Sequence, residues 1–268
     1  MSEKILFLGA GKMAAAIAGA LVKQDPANKA NITAFDPNAA AAEHFAAATG
    51  AKAQSSDAAG QAVAADIVLL AVKPQHLRTA VGPLSGLLAD KLVISIVAGA
   101  ELALLYELTG AGRLVRVMPN TPALVGEGMS CFASKGELAD ADLAAVERIL
   151  GAAGKAAKVE EKLLNAVTGL SGSGPAYVFE FIMALADGGV REGLPRDLAL
   201  KLAIQTVLGS AKLAAEANVH PAILRDQVIS PGGTTAAGVA ELDRHGFRFA
   251  VQEAVVAAAR RSAELGKK

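Results

Sequence analysis

The chain has 268 residues, enough for one large domain or two ordinary ones, and its 26 basic and 26 acidic side chains cancel, so no net field draws it to nucleic acid or to an anionic membrane. Cys131 is the only cysteine, which excludes an intramolecular disulfide and makes the cytoplasm the default compartment. The 53% hydrophobic content is largely alanine, no run reaches about 18 uninterrupted apolar residues, and residues 5–10 are too short and too poorly flanked for a signal peptide. No membrane partner is expected.

Up to about residue 160, short apolar runs alternate with helical patterns. KILFLG (4–9), NITAFD (31–36), DIVLLAV (66–72), KLVISIV (91–97) and RLVRVM (113–118) read as strands. Residues 12–23, 38–48 and 75–88 read as the helices between them. That alternation predicts an α/β domain, a parallel sheet with crossover helices on both faces, because the strands are apolar on both sides. Beyond residue 160 the strand signal stops. Val178, Phe181, Ile182 and Leu185 make one helical stripe, and Leu200, Ile204, Val207, Leu208 and Ala211 make another. Leu198, Leu202 and Leu213 lie off that second stripe, so the helices are apolar on more than one face and a partner subunit is expected; a compact monomer with a fully internal helix is the alternative. The division drawn from these patterns is residues 1–160 and residues 161–268.

Three loops carry the chemistry. GAGKMA (9–14) follows the first strand and opens the first helix. Gly9 permits the tight turn, Gly11 lets the backbone approach a pyrophosphate, and Ala14 allows close helix–strand packing. The helix N-terminus offers free N–H groups to the phosphates. Asp36 ends the second strand 25 residues after Gly11, where an acidic side chain commonly accepts ribose hydroxyls; the alternative is an N-cap of the next helix through DPN (36–38). AVKP (71–74) ends the third strand and should face the same ligand, with Lys73 pushed to extended geometry by Pro74; a solvated surface lysine is the alternative. The loops AGA (98–100) and PNTP (119–122) fall on the same rim. SPGGTT (230–235) precedes a helical pattern, and its successive small residues expose N–H groups as a nest for a carboxylate, with Ser230 and Thr235 adding hydroxyls; a plain glycine turn with Thr as N-cap is the alternative. His44, His76, His220 and His245 show no paired spacing for a metal, and Cys131 sits in an apolar run that reads as core.

The ordered set GAGKMA, AVKP, MPNTPA (118–123), GLSGSGPAY (169–177) and SPGGTT resembles pyrroline-5-carboxylate reductase across the whole chain. The resemblance implies a Rossmann-type domain, a helical dimerisation domain, and reduction of 1-pyrroline-5-carboxylate to L-proline by NADPH or NADH. It places Gly9, Ala10, Gly11, Lys12, Met13, Ala14, Asp36, Ala71, Val72, Lys73 and Asn120 around the dinucleotide. It places Ser230, Gly232, Gly233, Thr234 and Thr235 around the substrate, with Thr235 against the ring nitrogen and Glu161 near the ring. The sequence departs from the family in two places: Asp36 stands where many members have a small polar residue or Thr, and Gln227 where Asn is common. A related pattern, GxxGxGxxxKxxxN of the β-hydroxyacid dehydrogenases, is matched at Gly169, Gly172 and Gly174, but Val178 and Ile182 occupy its Lys and Asn positions. Oxidising an alcohol needs a group to take the hydroxyl proton, whereas a protonated cyclic imine needs none, so the missing lysine points to an imine. A nucleotide-binding scaffold without turnover would keep GAGKMA and have no use for SPGGTT.

Overall fold

The structure, a computed structural model, describes residues 3–266. Its contacts divide it into two compact units: one runs to Gly172 and takes in the chain from Ala258 onward, and the other is Ser173–Ala257.

The first unit is built on a sheet of β1 (Ile5–Leu8), β2 (Ile32–Phe35), β3 (Lys52–Gln54), β4 (Ile67–Leu70), β5 (Leu92–Ser95), β6 (Arg113–Met118), β7 (Gly128–Ser134) and β8 (Gly154–Lys158). Their spatial order is β3-β2-β1-β4-β5-β6-β7-β8, and every neighbouring pair is parallel except β6 with β7. Successive residues of one strand belong to opposite faces: Ile5 and Phe7 join one buried cluster, Leu6 and Leu8 the other. The first face is covered by α1 (Lys12–Gln24), α2 (Ala39–Thr49) and α6 (Asp140–Gly151); the second by α3 (Ala58–Ala64), α4 (Leu77–Val81) and α5 (Leu102–Thr109). This is the three-layer solution that strands apolar on both sides require.

All five strands read from the sequence are present. Three others had not been read. The edge strands β3 and β8 are KAQ and GKAAK, and lysine and alanine carry almost no strand signal although they suit an exposed sheet edge. β7 closes an antiparallel step that the alternation of strands and helices does not announce. The expected helix over 75–88 is also corrected: α4 has five residues, between 3-10 turns at Pro74–His76 and Gly82–Leu84. Pro83 lacks the N–H a continuing helix needs, and Gly82 and Gly86 flank it.

After β8 come α7 (Leu164–Val167), a π turn at Thr168–Gly172, α8 (Gly174–Arg191), α9 (Arg196–Glu216), α10 (Pro221–Val228), α11 (Thr234–Arg244) and α12 (Phe247–Leu265). The helical unit buries little. Its cluster is Ala186, Ala199 and Ala203, with Ile182 and Val190 against them, so α8 and α9 meet through alanines while Leu200, Ile204 and Leu208 stay exposed. By length and composition alone α9 could cross a membrane; it also carries Asp197, Lys201 and Lys212 on a surface that is otherwise leucine-rich.

Candidate active site

Parallel strands bring their following loops to one rim, and the order β2-β1-β4-β5-β6 places Asp36, the glycine loop, Ala71–Lys73, the AGA turn and Asn120 along it. The glycine loop has the geometry its residues predict. Gly9 takes φ +105°, and a Cβ there would lie 2.7 Å from the Ala71 carbonyl oxygen, so neither the conformation nor the space admits a side chain. Its N–H donates to the Phe35 carbonyl at 2.7 Å, and the Ala71 N–H donates to Leu8 at 2.8 Å, which stitches the three loops together. At Gly11 an added Cβ meets nothing within 4 Å. Gly9 thus satisfies the protein, and Gly11 leaves room for something outside it. Ala14 is buried against the sheet.

Gly11 is the N-cap of α1, with no side-chain cap bond and no acidic residue in the first turn. The N–H groups of Lys12, Met13 and Ala14 therefore lack intrahelical acceptors and lie at the positive end of the helix dipole. A dinucleotide pyrophosphate fits this cradle in shape and in sign.

Asp36 does not cap α2; that cap is Asn38, whose Oδ1 accepts from the Ala40 N–H at 3.1 Å. The cap alternative for Asp36 is thereby corrected. Its Oδ2 accepts from the Ala10 N–H at 2.9 Å and its Oδ1 from the Asn38 N–H at 3.0 Å. Val72 is half-buried and Lys73 exposed, and Lys73 takes φ −67° and ψ 148°, the extended geometry imposed by the following proline.

Asn120 and Glu161 are both engaged inside the first unit. The Asn120 Oδ1 accepts from the Met129 N–H at 2.8 Å, and its Nδ2 donates to the Ser171 carbonyl and hydroxyl, each at 3.2 Å. It ties the PNTP turn to β7 and to the π turn, a rare element that often marks a functional segment. The Glu161 Oε1 accepts from the Leu102 N–H at 2.7 Å, capping α5 from outside, and pairs with Arg116 at 2.9 Å. Neither Arg116 nor Ser171 had been singled out from sequence. A signal existed for Arg116: a cation within RLVRVM, buried in β6, needs a counter-charge.

In the helical unit, SPGGTT makes a turn that leads into α11. Gly232 takes φ +69°, the Gly233 N–H donates to the Ser230 carbonyl at 3.0 Å, and a Cβ on Gly233 would strike the Ser230 hydroxyl oxygen at 2.3 Å. Gly233, and not a threonine, is the N-cap of α11 and no side chain caps it, so the N–H groups of Thr234, Thr235 and Ala236 lack intrahelical acceptors. Thr235 is half-buried beside them. Cys131 is buried in β7, and burial pushes its thiol pKa up, which suits core packing and opposes nucleophilic use.

The family model described as pyrroline-5-carboxylate reductase dimerisation matches residues 161–265, and the one described as NADP oxidoreductase, coenzyme F420-dependent, matches residues 4–99. A pyrroline-5-carboxylate reductase of Arabidopsis thaliana is 46% identical over 270 residues, 99% of this chain and 96% of the relative. Among solved structures, a pyrroline-5-carboxylate reductase from Coxiella burnetii aligns with a TM-score of 0.92 at 32% identity, covering 99% of each chain. A pyrroline carboxylate reductase from Plasmodium falciparum, solved with NADP bound, aligns at 0.86 and 33% identity, covering 99% of this chain and 98% of that one. With relatives this similar along their full lengths, the chain belongs to the pyrroline-5-carboxylate reductase family.

Proposed function

We propose that the chain reduces 1-pyrroline-5-carboxylate to L-proline with NADPH or NADH, the last step of proline biosynthesis, and that it works as a homo-oligomer paired through its helices. The observation that carries the reading is a pair of uncapped helix N-termini in one chain: α1 behind a glycine loop with open space at Gly11, and α11 behind the Ser230–Gly233 turn. The first suits a pyrophosphate and the second a carboxylate.

The N–H groups at the start of α1 would hold the dinucleotide, with Asp36 on the ribose, Ala71–Lys73 beside the glycine loop and Asn120 maintaining the PNTP turn. The reduced nicotinamide supplies the hydride. The nest at Ser230, Gly232, Gly233 and Thr234 would hold the substrate carboxylate, and the Thr235 hydroxyl would bond the ring nitrogen and fix which carbon is presented. Hydride adds to the C=N carbon of the protonated imine, and the π electrons return to nitrogen, which leaves a secondary amine. No further proton is required, so no general base is needed; positioning and exclusion of water supply the acceleration. Glu161 would act at one remove, through Leu102 and Arg116.

Self-association is supported by the exposed leucines of α9 and by the match of the dimerisation model over the same residues. The direct test is oxidation of NADH or NADPH by the purified protein with pyrroline-5-carboxylate, with proline identified by chromatography. Turnover with proline as product is expected. Turnover of a 3-hydroxy acid without proline formation would overturn the substrate, and coenzyme binding without any turnover would favour a scaffold.

A further inference from the structure

Asp36 places a charge at the carboxyl end of β2, beside the glycine loop. Its carboxylate accepts from two backbone donors, Ala10 at 2.9 Å and Asn38 at 3.0 Å, which hold it at the carboxyl end of β2. Ala10 is part of the glycine loop itself; the same group that shapes the loop therefore sets the charge beside it. A carboxylate has about four lone-pair sites, and two remain open for further donors. The two hydroxyls of an unmodified ribose are donors. A 2′-phosphate brings up to two negative charges and no donor of comparable strength.

Among the described residues, no Lys or Arg pairs with Asp36. From Pro37 through Ala51 there is no Lys or Arg. Lys52 pairs in register with Thr33, three positions back toward the amino end of β2. Lys73 follows β4, which lies beyond β1 from β2, two strand spacings or about 10 Å away. Lys12 is the exposed first residue of α1, two residues after Ala10.

We infer that Asp36 makes this chain an NADH-selective member of its family. The inference rests on the dinucleotide reading above and concerns only its adenosine ribose. One fixed negative charge facing a doubly charged phosphate at about 5 Å costs about tenfold in affinity even at the dielectric of water.

The test is a titration of NADH and of NADPH into the purified, full-length protein without substrate, followed by nicotinamide fluorescence. NADH is expected to bind at least about tenfold more tightly. Asp36→Asn keeps an oxygen for the Ala10 N–H and removes the charge, so it should narrow that ratio about tenfold, mainly by improving NADPH. Lys12→Ala should weaken both coenzymes alike. Tighter binding of NADPH by the unaltered protein, an unchanged ratio in Asp36→Asn, or a selective loss of NADPH in Lys12→Ala would each overturn the inference. Failure to form proline would sink the proposed reaction and leave this ratio standing, because the titration contains no pyrroline carboxylate.

Discussion

The two units solve the burial problem differently. In the first, Phe7, Phe45, Phe132, Leu69 and Leu70 are fully buried, and both sheet faces are closed by helices of the same unit. In the second, the buried cluster consists of three alanines, while Phe179, Leu208 and Leu213 are exposed at 60%, 58% and 56%. A sheet with helices on both faces consumes its own apolar surface. Helices that are apolar on several faces cannot do so in a small unit, and the surface left over is what a second copy would cover.

The largest effect is expected inside the closed core. Phe7→Ala removes a ring that packs against Phe45 at 5.7 Å between centroids, and should cost about 3–5 kcal/mol, read from the urea midpoint. A loss under about 1 kcal/mol would show that the ring is not tightly packed.

The helical unit should instead fail by dissociation. Leu208→Asp is expected to weaken association at least about 100-fold, or about 2.7 kcal/mol, giving a smaller mass by light scattering and a melting temperature that falls on dilution. An unchanged mass and melting curve would mean that the leucine face of α9 meets water.

Within the first unit, two glycines separate folding from binding. Gly9→Ala should cost about 1–3 kcal/mol of stability through a positive φ and the Ala71 clash, and abolish tight coenzyme binding. Gly11→Ala should leave the melting temperature in place and weaken the coenzyme about tenfold. Equal destabilisation by both would assign Gly11 to the fold as well.

Thr235→Ala should lower kcat/KM for the imine about tenfold, the worth of one hydrogen bond, while the coenzyme Kd stays within about twofold. A parallel loss of coenzyme affinity would reassign the nest. The smallest effect belongs to Glu161→Gln, which keeps an oxygen for Leu102 and loses the charge facing Arg116; with Glu161 34% exposed, about 1 kcal/mol of stability is expected and little else. A tenfold fall in kcat/KM at unchanged stability would instead put that carboxylate on the substrate.

The five central strands, the glycine loop and the turn before α11 were legible because each rests on local rules: apolar runs of strand length, a glycine required by a positive φ, an uncapped helix start. β3 and β8 were not legible, since edge strands of lysine and alanine have little intrinsic preference and form only because a neighbouring strand offers its N–H and C=O groups. The helix expected over 75–88 failed at Pro83, where a local rule was available and outweighed the helical spacing.

By itself the sequence determined the α/β class, the glycine turn between β1 and α1 and the helical character beyond residue 160, because these depend on periodicity and on backbone chemistry within a few residues. Only the tertiary structure decided that Asp36 holds Ala10, that Glu161 caps α5 and meets Arg116, that Asn120 ties the PNTP turn to Ser171, and that α8 and α9 turn alanines inward and leucines outward. Each joins residues distant along the chain or chooses one face of a helix over another. Hydrogen bonds and burial are settled by which groups the completed fold brings within reach, and spacing along a chain carries no record of that choice.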